Sequence, residues 1–179
     1  MSRWIAVALS LTIASAALAT PRLPQTAGPT STTQWRLERG SEEGVEYVAV
    51  TATNTGTDIA LHLVCAADGG VAMTLFGEGE APPEPDETVM ITTRVTGQPL
   101  RRNNWVQGFG EGDARTFELD GKDAYDLIAA LTRAATGDVV FEVTADRLVT
   151  RYTFDLGNGG EERSLLAATC ASWQAGSNL

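Results

Sequence analysis

Residues 59–65 (IALHLVC), 68–70 (DGG) and 71–76 (VAMTLF) decide the fold: two short apolar runs joined by a tight glycine turn. Successive side chains of an extended chain alternate between faces. Ile59, Leu61, Leu63 and Cys65 therefore share one side, and His62 and Val64 the other. Asp68-Gly69-Gly70 supplies residues that tolerate the positive φ of a hairpin turn. The unit reads as a β-hairpin with one face turned to a core.

The same pattern recurs on both sides of it. Upstream, residues 35–38 (WRLE) and 45–53 (VEYVAVTAT) read as strands, with a turn within 40–44 and a stop at Asn54-Thr55-Gly56-Thr57. Downstream, the acidic, Pro-rich stretch 77–87 (GEGEAPPEPDE) is a loop leading to a strand at 88–95 (TVMITTRV). A short strand is expected around Trp105 and Val106 and another at 115–119, joined by the turn 108–113 (GFGEGD). Residues 120–137 read as the one clear helix. Asp120 is placed to cap it, Asp123 suits the positive end of its dipole, and Gly137 follows its last turn. Ala124, Leu127, Ile128, Leu131 and Ala134 form one apolar stripe at helical spacing. Strands follow at 139–144 and 149–156, then a short helical turn at 164–169 that ends at Cys170, with Trp173 beyond. Strands first and helices late point to a mainly β chain, an antiparallel β-sandwich or open barrel with one helix and a short C-terminal helical turn. A doubly wound sheet needs alternating strands and helices, which this chain lacks.

The N-terminus speaks to compartment. Arg3 precedes an apolar run over 4–17, and Ala17-Leu18-Ala19 is a small-residue cleavage site. Residues 1–19 are thus expected to be a signal peptide, cleaved before Thr20, and the run is too short to stay as a membrane anchor. The mature protein is expected in the periplasm, or secreted. Residues 20–34 lack periodicity and are rich in Pro, Thr, Ser and Gly, as in a flexible leader; residues 35–175 make a single β-rich domain. A formal net charge of −10 argues against nucleic acid as a partner and disfavours anionic lipid; neither nucleic acid nor a lasting membrane anchor is expected. The two cysteines, Cys65 and Cys170, read in an oxidising compartment as one disulfide closing a loop of about a hundred residues, worth about 4.7 kcal/mol in the chain-entropy model. The alternative, two thiols with His62 as metal ligands, lacks CxxC or HxxxH spacing; no metal or other cofactor is expected.

Two C-terminal segments echo each other: 116–134 (TFELDGKDAYDLIAALTRA) and 153–171 (TFDLGNGGEERSLLAATCA). Each is a strand ending Phe-acid-Leu, a glycine turn and an alanine-rich helical segment. The second, with Cys170 near Trp173, resembles the C-terminus of small exported proteins of the VasI family, accessory to type VI secretion. Trp35 at the head of a strand and Leu61 to Cys65 resemble that family's N-terminal half. The chain is also similar to invasion-associated locus B proteins, which share an exported, disulfide-bearing β character. The resemblance implies a non-catalytic periplasmic β domain with a bond between Cys65 and Cys170, and carries over no active site.

The residues themselves offer few catalytic arrangements. A Ser-His-Asp site would have to use His62, the one histidine, which sits mid-strand with no G-x-S-x-G elbow anywhere. Glu78, Glu80, Glu84, Asp86 and Glu87 could supply oxygen ligands for Ca²⁺, yet their spacing fits no calcium loop and Pro82, Pro83 and Pro85 stiffen the segment. A solvated hairpin loop is the plainer reading, and its acidity suits a basic partner surface. Glu111, Asp113 and Glu118 could pair as glycosidase carboxylates. Arg101 and Arg102, ahead of Trp105, form the concentrated basic patch; Arg beside Trp suits an interface anchor, and equally a solvated turn beside a buried Trp.

These features add up to a non-enzymatic exported protein that binds another protein or an envelope component. Its expected contacts are Glu78, Glu80, Glu84 and Asp86 on the acidic loop and Arg101, Arg102 and Trp105 on the basic turn. The alternatives are an inhibitor of a cationic hydrolase such as lysozyme, steered by its acidity, and a carboxylate-dependent glycan hydrolase.

Overall fold

The computed structural model describes residues 25–26, 32–77, 87–109, 115–145 and 148–176. The expected signal peptide and most of the expected leader lie outside them, as do Glu78, Glu80, Glu84 and Asp86. Among the described residues no helix is long and apolar enough to cross a membrane.

The decisive hairpin forms as read: β4 (Ala60–Ala66) pairs antiparallel with β5 (Val71–Gly77). Leu61, Leu63 and Cys65 are buried while His62 and Val64 are half-buried on the opposite face. Upstream, β2 (Thr33–Glu42) and β3 (Val45–Asn54) extend the meander. Their turn is tighter than the expected 40–44. Glu43 (φ 52°) and Gly44 (φ 86°) are both left-handed, as a two-residue type I′ hairpin requires. β2 also starts two residues before the strand expected from Trp35, with Thr33 held in the interior.

A second meander, β6 (Thr88–Val95), β7 (Arg101–Phe109) and β8 (Arg115–Asp120), runs back so that β8 docks on β5. Helix α1 (Gly121–Arg133) then returns the chain to the free side of β6, where β9 (Asp138–Ala145) and β10 (Leu148–Asp155) follow. The two-residue β1 (Gln25–Thr26) adds parallel to β10. The result is one sheet of nine antiparallel strands plus β1, in the order β1-β10-β9-β6-β7-β8-β5-β4-β3-β2.

The sheet curls until its two ends meet, but among the described residues no ladder joins them, so the barrel stays open. Side chains close the seam instead. Thr33 Oγ1 donates to Asn54 Oδ1 and accepts from the Asp155 amide, both at 2.8 Å. Asn54 Nδ2 donates to the Thr153 carbonyl, and Trp35 Nε1 to that of Asp155, again at 2.8 Å. Each strand end thereby finds partners for polar groups that burial would otherwise strand.

One core fills the concave side. Trp105, Phe141 and Phe154 stack edge to face, with centroids 5.8 and 6.1 Å apart. The α1 stripe behaves as its spacing predicts: Ala124, Leu127, Ile128, Leu131 and Ala134 are all buried. Asp120 is the N-cap residue, yet its side chain makes no capping bond, and the helix stops at Arg133 rather than running on to Gly137.

The expected C-terminal helical turn is a full helix, α2 (Gly160–Gly176). It buries only Arg163, Leu166 and Cys170, a stripe too thin to stand out in the sequence. Alanine and leucine propensity extends it, and Glu161 and Glu162 favour its first turn. The two echoed segments become β8–α1 and β10–α2, and their helices pack against each other.

Candidate functional site

Cys65 on the concave face of β4 and Cys170 on α2 are bonded, with Cα atoms 5.5 Å apart and both residues buried. The bond fixes the end of α2 over the β3–β4 part of the sheet. Gln174 Nε2 adds a 2.6 Å hydrogen bond to the Gly69 carbonyl in the β4–β5 turn. The start of α2 is held differently. Arg163 is 1% exposed and donates from Nη2 to the carbonyls of Leu156 (2.8 Å) and Ala134 (3.3 Å), the C-cap residue of α1. Its guanidinium lies 4.8 Å from the centre of the Trp35 ring, and Gly159 leaves that ring the room a Cβ would take. Burial pushes the Arg163 pKa down, while Glu162 and Asp155 act in the other direction.

Pinned at both ends, α2 leaves a cleft of about 330 Å³ between its last turns and the β2–β3 hairpin. Arg39, Gly40, Ser41, Glu46, Tyr47, Thr169 and Trp173 line it. Gly40 faces Tyr47 across the hairpin, and the phenol ring covers the glycine so closely that a Cβ there would overlap it. The cleft combines the Trp173 ring, a cation, a carboxylate and hydroxyls. That mixture suits a ligand that is part apolar and part charged.

The sequence-derived contact residues fare differently. Arg101, Arg102 and Trp105 lie on an inner strand of the sheet rather than on a turn. Trp105 is fully buried against Phe141, so it belongs to the core and not to a surface anchor. Consecutive strand residues point to opposite faces, so Arg101 shares the concave side with Trp105 while Arg102 is exposed on the convex side. The basic patch is therefore split between two faces.

Glu78, Glu80, Glu84 and Asp86 lie outside the described residues, as do Glu111 and Asp113; Glu118 is exposed on β8. His62 sits on the convex face between Thr51 of β3 and Thr74 of β5. Burial lowers its pKa, with Glu38 acting in the other direction. Among the described residues no three His, Cys, Asp or Glu side chains converge as metal ligands. The cleft was not foreseen. Its residues come from the hairpin and from a helix more than a hundred positions away, and the one local hint was the Gly40–Tyr47 pairing.

No family model matches the chain, and no curated protein matches it. Among solved structures the chain is similar to invasion associated protein B from Bartonella henselae. The TM-score is 0.52 at 14% sequence identity, over 79% of this chain and 99% of that one. What the chain shares with that protein is its fold.

Proposed function

We propose that this chain is an exported periplasmic protein without enzymatic activity, and that it acts by binding another protein or an envelope component through the β2–β3/α2 cleft. The cleft itself carries the reading: a concave site with aromatic, charged and hydroxyl groups, braced by a buried disulfide. An apolar leader ending in Ala17-Leu18-Ala19 and a buried disulfide fit work outside the cytoplasm. Kinship with the VasI family and a role beside type VI secretion are the finer form of this proposal.

Photocrosslinking in living cells tests it. A photoreactive residue at Ser41 should give a discrete covalent adduct in the periplasmic fraction. The same residue at Met90, 57% exposed on the convex face, should give none. Equal adducts from both positions, or none from Ser41, would overturn the proposal.

A further inference from the structure

We propose that the cleft binds its partner by strand addition: an extended, positively charged peptide segment of another protein pairs with the free edge of β2 and lays side chains into the groove beside α2. The inference rests on the binding role proposed above and names the kind of partner.

Among the described residues the sheet order ends at β2, a ten-residue strand with a neighbour on one side only. Its first residues are occupied, since Thr33 and Trp35 tie it to Asp155 of β10. Residues 37–42 have no strand beside their outer edge among the described residues. A row of unpaired backbone N–H and C=O groups is a template for another strand. Natural edges are often too short or too bulged to serve; this one continues regularly to a two-residue turn.

The cleft opens beside the same stretch. Arg39, Gly40 and Ser41 belong at once to the free edge and to the cleft wall. Thr169 and Trp173 of α2 form the opposite wall. A peptide paired to β2 would turn alternate side chains toward α2, which is the geometry by which an edge strand beside a helix reads sequence. On the convex side the Tyr47 ring already covers Gly40.

Charge selects the occupant. Arg36 is engaged with Glu38 at 3.3 Å. Beyond that pair the hairpin end presents Glu42, Glu43 and Glu46 against Arg39, all exposed. The wall across from it is neutral, because α2 carries no charged side chain after Arg163. Trp173 adds an aromatic ring that attracts a cationic side chain. A second copy of this chain, at net charge −10, would be repelled.

The test is selection of a displayed random-peptide library on the full exported chain with its disulfide intact. Enriched peptides should carry net positive charge and lose affinity as salt rises. Replacing peptide residues one at a time by proline should abolish binding at alternate positions, where an N–H is used. Hydrogen exchange should show new protection at residues 37–42. Glu42→Lys with Glu46→Lys, both at exposed positions, should weaken binding about tenfold or more while leaving the melting curve unchanged.

Acidic or neutral selected peptides, protection elsewhere, or no enrichment would overturn the proposal. So would protection of 37–42 that grows with protein concentration alone, which would make a second copy the occupant. If Ser41 still crosslinks a partner in cells while these results fail, the binding role stands and strand addition falls.

Discussion

His62 occupies the middle of β4's convex face, in a row that reads Arg36, Thr51, His62, Thr74 and Glu118 across five strands. A half-buried imidazole loses hydration when it charges, which is why its pKa is lowered in spite of Glu38. The folded state therefore binds this proton less readily than the unfolded chain does. Stability tied to His62 is full well above pH 6.5 and falls as the pH drops through that value, until the folded protein is protonated too. Urea midpoints should be lower at pH 5.5 than at pH 7.5, and His62→Gln should flatten the difference. Equal slopes in the two proteins would remove His62 as the cause. The alternation of residues 59–65 was enough to place His62 on that face. The burial that shifts its pKa was not legible, since it depends on flanking strands set by tertiary pairing.

Helix α2 shows what one covalent link does for an element of weak amphipathic character. Three buried side chains hold its 17 residues to the sheet, and one of them is Cys170. The bond closes a loop of 105 residues, so removing it frees much of the unfolded chain as well as the helix. Cys65→Ser with Cys170→Ser should cost about 2–5 kcal/mol. Thermal denaturation followed by circular dichroism measures that cost. Hydrogen exchange should show α2 losing protection before β3 and β4; simultaneous loss would mean that packing alone secures the helix. The pairing was readable from the composition, because two cysteines leave one connectivity. The helix length was not, because GNGGEER reads locally as turn.

At the scale of the whole molecule, the open seam decides whether the sheet behaves as one cooperative unit. Asn54 is its hinge pin: its side chain accepts from Thr33 and donates to the Thr153 carbonyl. Asn54→Ala leaves the buried Thr33 hydroxyl without its acceptor and the Thr153 carbonyl without this donor. It should destabilise the protein by about 1–3 kcal/mol, the cost of one unsatisfied buried group. Chemical denaturation gives the magnitude, and amide exchange should show β2 and β10 loosening together. Loss of protection on β2 alone would mean that the two ends are not coupled. The same seam positions Trp35 and Arg163, which hold the start of α2, so its loosening should reach the cleft.

Local pattern alone determined that this chain is mainly β, where most strands run, which face of α1 is buried and which cysteines meet. Those features rest on side-chain alternation and helical spacing, which neighbouring residues fix. Tertiary structure decided the rest: that Trp105 is core, that Arg101 and Arg102 part to opposite faces, and that β2 ends the sheet beside α2. Each depends on which strands lie side by side, and hydrogen bonds between distant segments choose that order where local periodicity cannot.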